Sequence, residues 1–187
     1  MSYRIVVLGA PGAGKGTQAA KLAAHLDIPT ISTGALFRQH IAQGTELGRL
    51  ARSYIDAGNL VPDEVTSRMI AERLKESDAA AGFILDGYPR NLAQAQTLKG
   101  MLGDAGLSAV LELDIDPEVV IGRLLRRASI EGRSDDSEEV IRHRMEVYRE
   151  KTAPLIEYYA AAGLLKRVDA DGEIDDVFAR LLAALGR

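Results

Sequence analysis

The run Gly9-Ala10-Pro11-Gly12-Ala13-Gly14-Lys15-Gly16-Thr17 has the composition of a phosphate cradle. Glycines let successive backbone N–H groups turn inward and approach anionic oxygens. A helix opening beyond the loop adds unpaired donors and the positive end of its dipole. Lys15 adds a point charge suited to a phosphoryl group in transfer. The dinucleotide pattern of three spaced glycines fails, because Thr17 stands where its third glycine would be. Phosphate loops usually place Ser or Thr directly after the Lys, where the hydroxyl meets magnesium. Here Gly16 holds that place and Thr17 follows it, so the hydroxyl is offset from the usual ligand position. The plainer alternative is a glycine-rich turn with no ligand.

Several charged residues elsewhere suit the same chemistry. Asp86 ends the apolar run Gly82-Phe83-Ile84-Leu85. A carboxylate at the carboxyl end of a strand in an α/β sheet lies where ligands bind, and can hold magnesium or its waters. It could equally cap a helix or a turn. Arg90 follows Tyr88-Pro89 and offers a planar fork for phosphate oxygens, although a lone arginine is more often solvated. Arg144 falls by helical spacing inside the apolar arc of Val140, Ile141, Met145, Val147 and Tyr148. A charge on that inward face needs a carboxylate or a ligand phosphate as partner. Arg142, Glu146, Arg149 and Glu150 fall on a solvated face. Arg123 and Arg127 are four apart and share one helix side, while Arg126 points elsewhere. With Arg133 and Arg144 they could cage a triphosphate; Arg127 alone could instead compensate a helix dipole. Asp135 and Asp136 could orient these arginines or cap the next helix, where Ser137 and Glu138-Glu139 read as a start signal. His25, His40 and His143 show no arrangement with a nucleophile.

These residues need a scaffold, and the apolar pattern supplies one. Five short apolar runs, Tyr3–Leu8, Ile28–Ile31, Phe83–Leu85, Val110–Leu113 and Leu164–Val168, alternate with helical patterns. That alternation predicts an α/β fold with a parallel sheet covered by helices on both faces. Ser32 to Val61 interrupts it with two short helical patterns and no strand, and Ala128 to Glu138 is polar and looplike. The chain has 187 residues, enough for one compact domain with small insertions. It has no cysteine, which excludes disulfides and cysteine-ligated zinc. The first apolar run is too short for a signal peptide or a membrane span, so a cytoplasmic location is expected. A formal net charge of −4 gives no global basic field for nucleic acid, which makes local arginine clusters more informative.

The loop Gly9 to Thr17 resembles the phosphate loop of adenylate kinases and their close relatives, and three further segments match in order. These are Ile31-Ser32-Thr33-Gly34 with Arg38, Asp86-Gly87-Tyr88-Pro89-Arg90 with Gln94, and Gly132-Arg133-Ser134-Asp135-Asp136 with Arg144. Thr152-Ala153-Pro154-Leu155-Ile156 with Tyr158-Tyr159 extends the match over nearly the whole chain. The resemblance implies a three-layer P-loop fold with a five-stranded parallel sheet flanked by helices. It implies a core of residues 1–31, 62–127 and 139–187, a monophosphate-binding flap at 32–61 and a short lid at 128–138. That lid lacks room for extra strands, and without cysteine it cannot be the metal-bound variant, so no zinc is implied.

The activity implied is reversible phosphoryl transfer from magnesium-ATP to AMP, giving two ADP. On the ATP side the resemblance assigns Gly12, Ala13, Gly14, Lys15, Gly16, Thr17, Arg123, Arg127 and the main chain of Gly172. On the AMP side it assigns Thr33, Gly34, Arg38, Asn59, Leu60, Val61, Gly87, Tyr88, Pro89, Arg90, Gln94, Arg133 and Arg144. Thr33 and Gln94 stand at adenine-reading positions, and Leu60 and Val61 where backbone carbonyls meet the base. Lys15, Asp86, Arg90, Arg127, Arg133 and Arg144 form the implied catalytic set, with Asp86 holding magnesium through water. A cis peptide before Pro89 and a monomeric state are also implied. Asn91 departs from the pattern: Thr is common there, and Asn is similar to uridylate–cytidylate kinases, the nearest alternative. A P-loop switch or ATPase with no small acceptor is the alternative of another class.

Overall fold

The computed structural model describes residues 2–133 and 136–187; Ser134 and Asp135, the latter a candidate arginine-orienting residue, lie outside the described residues. Its strands are β1 (Tyr3–Gly9), β2 (Thr30–Ser32), β3 (Gly82–Asp86), β4 (Ala109–Asp114) and β5 (Leu165–Asp169). They form one parallel sheet in the order β2-β3-β1-β4-β5. Central β1 is buried from Ile5 through Leu8, with Ile5 opposite Ile84 on one side and Ala109 on the other. A contiguous apolar run is what a parallel strand covered on both faces requires. All five expected strands form. The second starts two residues later than its apolar run, at Thr30, because Pro29 has no N–H to give the ladder; its carbonyl accepts from Ile84 N at 2.9 Å.

The helices up to the last strand-to-helix crossover are α1 (Lys15–Leu26), α2 (Thr33–Ala42), α3 (Glu46–Asp56), α4 (Asp63–Leu74) and α5 (Leu92–Leu102). Beyond β4 follow α6 (Pro117–Glu131), α7 (Glu138–Val147), α8 (Pro154–Ala161) and α9 (Ile174–Ala184). One sheet face packs Ile5, Val7 and Leu111 against Ala19 and Leu22 of α1 and Val177 and Leu181 of α9. The other packs Val6, Leu85 and Val110 against Ile70, Ala95, Leu98, Leu155 and Tyr159. Between β2 and β3, α2 and α3 close on a separate small cluster of Phe37, Ala51 and Val61. A smaller cluster, Val120, Leu124 and Ile141, joins α6 to α7.

Two features differ from the sequence reading. The segment from Ala128 begins as helix rather than loop: α6 runs on to Glu131 and stops at Gly132, whose φ of 60° lies in the left-handed region. Nothing from Ala128 to Glu131 breaks a helix, and the polarity there is only that of an exposed face. After α7 the chain makes a π-helical turn, Tyr148–Thr152, closed by Ala153 N bonding Tyr148 O at 2.8 Å. Such wide turns recur at functional sites. Among the described residues no helix is long and apolar enough to cross a membrane.

Candidate active site

The carboxyl edges of β1, β2 and β3 open into one cavity of about 610 Å³. In open α/β sheets this edge is where ligands bind, at the point where strand order reverses. The loop after β1 forms its floor. Gly12 must approach α6 closely: a Cβ there would lie 2.7 Å from Leu124 Cγ. Gly14, with φ of 93°, leads into α1 without any side-chain cap, so the first N–H groups of that helix are left for a ligand. Lys15 is half-buried and donates from Nζ to Gly9 O at 2.8 Å and Ala10 O at 3.1 Å.

Burial pushes the Lys15 ammonium down to about 8; Asp86 opposes that shift, while Arg90, Arg144 and Arg127 add to it. Groups on β3, on the loop after it, on α6 and on α7 thus bring formal charges to bear on one amine. A bound polyphosphate would restore the charged form, since a nearby anion favours an ammonium. Binding of a polyphosphate at pH 8.5 is therefore expected to take up protons, and far fewer at pH 6.5, where Lys15 is already charged. Calorimetry in two buffers of different ionisation enthalpy measures the uptake. Equal values at the two pH values would reject the shift.

Asp86, at the end of β3, faces the same space: a Cβ on Gly16 would lie 3.7 Å from Asp86 Oδ2. One carboxylate beside a phosphate loop suits magnesium, which keeps most of its waters and takes the rest of its ligands from phosphate. Among the described residues there is no group of three or more acidic, His or Cys side chains that could hold a metal by itself. The residues present fit a metal that arrives with its nucleotide.

Across the cavity, Thr33 Oγ1 and Arg90 Nε both donate to Gly87 O, at 2.9 and 2.8 Å. This ties the start of α2 to the segment after β3. The Tyr88–Pro89 bond is cis, and Pro89 and Arg90 both line the cavity. Arg38 folds back over Gly34, where a Cβ would sit 3.1 Å from its Nη1. Asn59, Leu60 and Val61 complete this wall. Gln94 is buried and lines the cavity as well. Its Oε1 accepts from Arg90 N at 2.7 Å, and its Nε2 donates to Asp63 Oδ1 at 2.9 Å. Thr152 in the π-helical turn donates to Arg90 O at 2.6 Å.

The roof carries the remaining arginines. Asp136 is fully buried; Arg127 forks both its oxygens at 2.6 Å and Arg144 Nη1 meets Oδ1 at 2.8 Å. Arg144 thus satisfies both expectations of its inward face, a carboxylate partner and a place on the cavity wall. Asp136 orients arginines, and the cap of α7 falls to Ser137, whose Oγ accepts from Val140 N at 3.4 Å. Arg133 contacts Glu131, and both line the cavity. Arg123 lines it too, with Nη2 3.5 Å from Ala170 O.

The structure brings together Gly12, Gly14, Lys15, Gly16, Thr17, Thr33, Gly34, Arg38, Asn59, Leu60 and Val61 around this cavity. With them stand Asp86, Gly87, Pro89, Arg90, Gln94, Arg123, Arg127, Arg133 and Arg144. Three expected residues stay outside it. Ala13 is buried in the core under α1. Tyr88, assigned to the AMP side by the resemblance, has its ring in the core and its hydroxyl 2.7 Å from Ser67 Oγ. Gly172 sits in the turn after β5, which Arg180 holds through Asp169 O at 2.9 Å and Asp171 O at 2.6 Å. Asn91 is off the cavity as well; it caps α5, its Oδ1 accepting from Gln94 N at 2.8 Å. Sequence reasoning missed Asp63, Thr66, Glu131, Tyr148 and Thr152. His143 has no nucleophile beside it; its Nε2 lies 2.6 Å from Asn59 Oδ1 and bridges α7 to the wall above α3. No motif marks such pairings, because each joins residues far apart in the chain.

A glycine loop on the central strand of a parallel sheet, facing a cavity rimmed by arginines, defines a P-loop α/β protein shaped around phosphate. A family model described as adenylate kinase matches residues 7–164. The adenylate kinase of Thermobifida fusca (strain YX) is 58% identical over 97% of this chain and 97% of its own. That of Mycolicibacterium vanbaalenii is 58% identical over 98% of this chain and 99% of its own. That of Mycolicibacterium smegmatis is 55% identical over the same shares. The chain belongs to the adenylate kinase family.

Proposed function

We propose that the protein carries out reversible phosphoryl transfer from magnesium-ATP to AMP, giving two ADP. The observation that carries this reading is the convergence of Lys15, Arg38, Arg90, Arg127, Arg133 and Arg144 on one cavity from separate elements. A donor triphosphate on the loop Gly12 to Thr17 and an acceptor monophosphate between Arg38 and Arg90 would be opposed across it. Thr33, Gln94 and the backbone of Leu60 and Val61 would then meet the acceptor base. Transfer between them needs in-line placement and charge neutralisation, with no covalent enzyme intermediate. Lys15, Arg127, Arg133 and Arg144 supply that neutralisation, and Arg133 exchanges Glu131 for phosphate oxygen as it does so. Asp86 would hold magnesium through water, and the metal, when bound, would supply further charge neutralisation for the phosphates.

Residues 1–31, 62–127 and 139–187 serve as core, 32–61 as the flap over AMP, and 128–138 as a short lid that excludes water on closing. The protein acts as a cytoplasmic monomer on ATP, AMP and ADP, with no nucleic acid or membrane partner. A coupled assay with Mg-ATP and each of AMP, UMP and CMP tests the assignment. AMP is expected to be preferred by on the order of 10²-fold or more in kcat/KM, the scale a hydrogen-bonding base site provides. Equal or better use of UMP or CMP would replace it with a uridylate–cytidylate kinase. ATP hydrolysis indifferent to any monophosphate would replace it with a P-loop switch or ATPase.

A further inference from the structure

We infer that Asp63 is a positioning residue for base selection, fixing the Gln94 carboxamide in the orientation that takes a 6-aminopurine monophosphate and refuses a 6-oxopurine. The inference rests on the reading of Gln94 as a contact of the acceptor base. Asp63 opens α4, directly after the segment that supplies Leu60 and Val61 to the cavity wall. Its Oδ1 accepts from two amides, Asn91 Nδ2 at 2.8 Å and Gln94 Nε2 at 2.9 Å. Asn91 in turn holds Gln94 N through its own Oδ1, and Gln94 Oε1 is engaged by Arg90 N at 2.7 Å.

A carboxylate only accepts and a backbone N–H only donates, so these two partners give the amide one orientation. Rotating it by half a turn would set oxygen against carboxylate and N–H against N–H. In the fixed orientation Gln94 has one N–H and one oxygen lone pair left over. That pair complements the N1 acceptor and 6-amino donor of adenine. A 6-oxopurine presents the reverse, an N1–H donor beside an oxygen acceptor, and would match only the rotated amide. Selection then follows from the unpaired polar groups a wrong base would leave. Asp63 itself is exposed and does not line the cavity, so it acts through Gln94.

The test is kcat and KM for AMP and IMP with saturating Mg-ATP, on wild type, Asp63→Ala, Asp63→Asn, Gln94→Ala and the Asp63→Ala/Gln94→Ala double variant. Asp63→Ala is expected to lower the AMP/IMP ratio of kcat/KM roughly tenfold, mainly through the KM for AMP, by the size of a charge-assisted hydrogen bond. The KM for ATP should stay within about twofold, because the donor loop does not touch Asp63. Asp63→Asn, which keeps an acceptor oxygen and tolerates the exposed site, should recover part of the ratio. In the Gln94→Ala background, adding Asp63→Ala should change the ratio no further. If Gln94→Ala collapses the ratio and Asp63→Ala leaves it intact, the positioning role is overturned and the base contact stands. An equal drop from Asp63→Ala in both backgrounds also overturns it. If neither single variant moves the ratio, the base contact itself falls, and the positioning role with it.

Discussion

Replacing Lys15 by methionine is expected to lower kcat by on the order of 10²- to 10³-fold while leaving thermal stability nearly unchanged, the loss typical of removing one preorganised charge stabiliser. The two halves of that expectation come from one observation. Burial and three neighbouring arginines hold the Lys15 ammonium down to about 8, so the folded protein disfavours its charge. The unfolded chain binds that proton more tightly, so this group's contribution favours folding increasingly as pH rises from about 8 toward 10.5. At neutral pH the charge is a cost to the fold, and methionine removes it while keeping most of the stem's packing. The Gly9 and Ala10 carbonyls lose a donor, which offsets part of the relief. A charge kept at the expense of stability points to a partner absent from the folded chain alone, and the phosphate loop around it names that partner. Single-turnover transfer and a melting curve on the same sample decide the matter. Turnover within threefold of wild type would remove Lys15 from the chemistry; a melting point many degrees lower would show its main role to be structural.

The parts legible in the sequence are those whose cause is local. The loop from Gly9 to Thr17 shows itself because backbone phosphate binding needs contiguous glycines. Arg144 shows itself because helical spacing puts a cation on an apolar face, which demands a partner, and the structure provides Asp136. The three central strands are readable from unbroken apolar runs, since the sheet is covered on both faces there, whereas edge strand β5 turns Lys166 and Arg167 to solvent and shows a weaker run. What stayed hidden depends on pairing across the chain. Tyr88 and Gln94 sit in adjoining motifs, yet one turns into the core and the other into the cavity. Asp63 reads as an ordinary first-turn acid of α4, a favourable place for a carboxylate, until α5 is seen beside it. Asn91 looks like a departure in the acceptor site, and proves to be a helix cap, a role Thr fills nearly as well. The π-helical turn that carries Tyr148 and Thr152 to the cavity has no periodicity of its own to reveal it. Gly172 follows from the resemblance alone, with no local pattern of its own, and does not line the cavity.

Asp136→Asn should reduce both stability and turnover, and the ratio between those losses tells what the carboxylate is for. Its side chain is fully buried, whereas Arg127 and Arg144 keep 24% and 15% of theirs exposed on the cavity side. One negative charge therefore holds two positive ones at the rim. Asparagine keeps the shape but supplies no charge, and its amide N–H would face a guanidinium. Breaking a buried pair from one side costs about 3–5 kcal/mol, because the partners remain without compensation. For a domain of this size that is roughly a 10 °C fall in melting temperature. The fall should be smaller than for a wholly buried pair, since the arginines can turn toward solvent. That same turning withdraws both guanidinium groups from the transferring phosphoryl, so kcat should drop on the order of 10²-fold, while the KM for AMP moves less. High phosphate should restore part of the melting temperature by occupying the rim as a counter-ion. A lower melting point with kcat within threefold would make Asp136 a fold-stabilising acid only. A kcat loss that disappears when the assay is run well below the new melting point would say the same. A persistent loss in fully folded protein, with AMP affinity largely kept, places the carboxylate behind the arginines as the group that aims them.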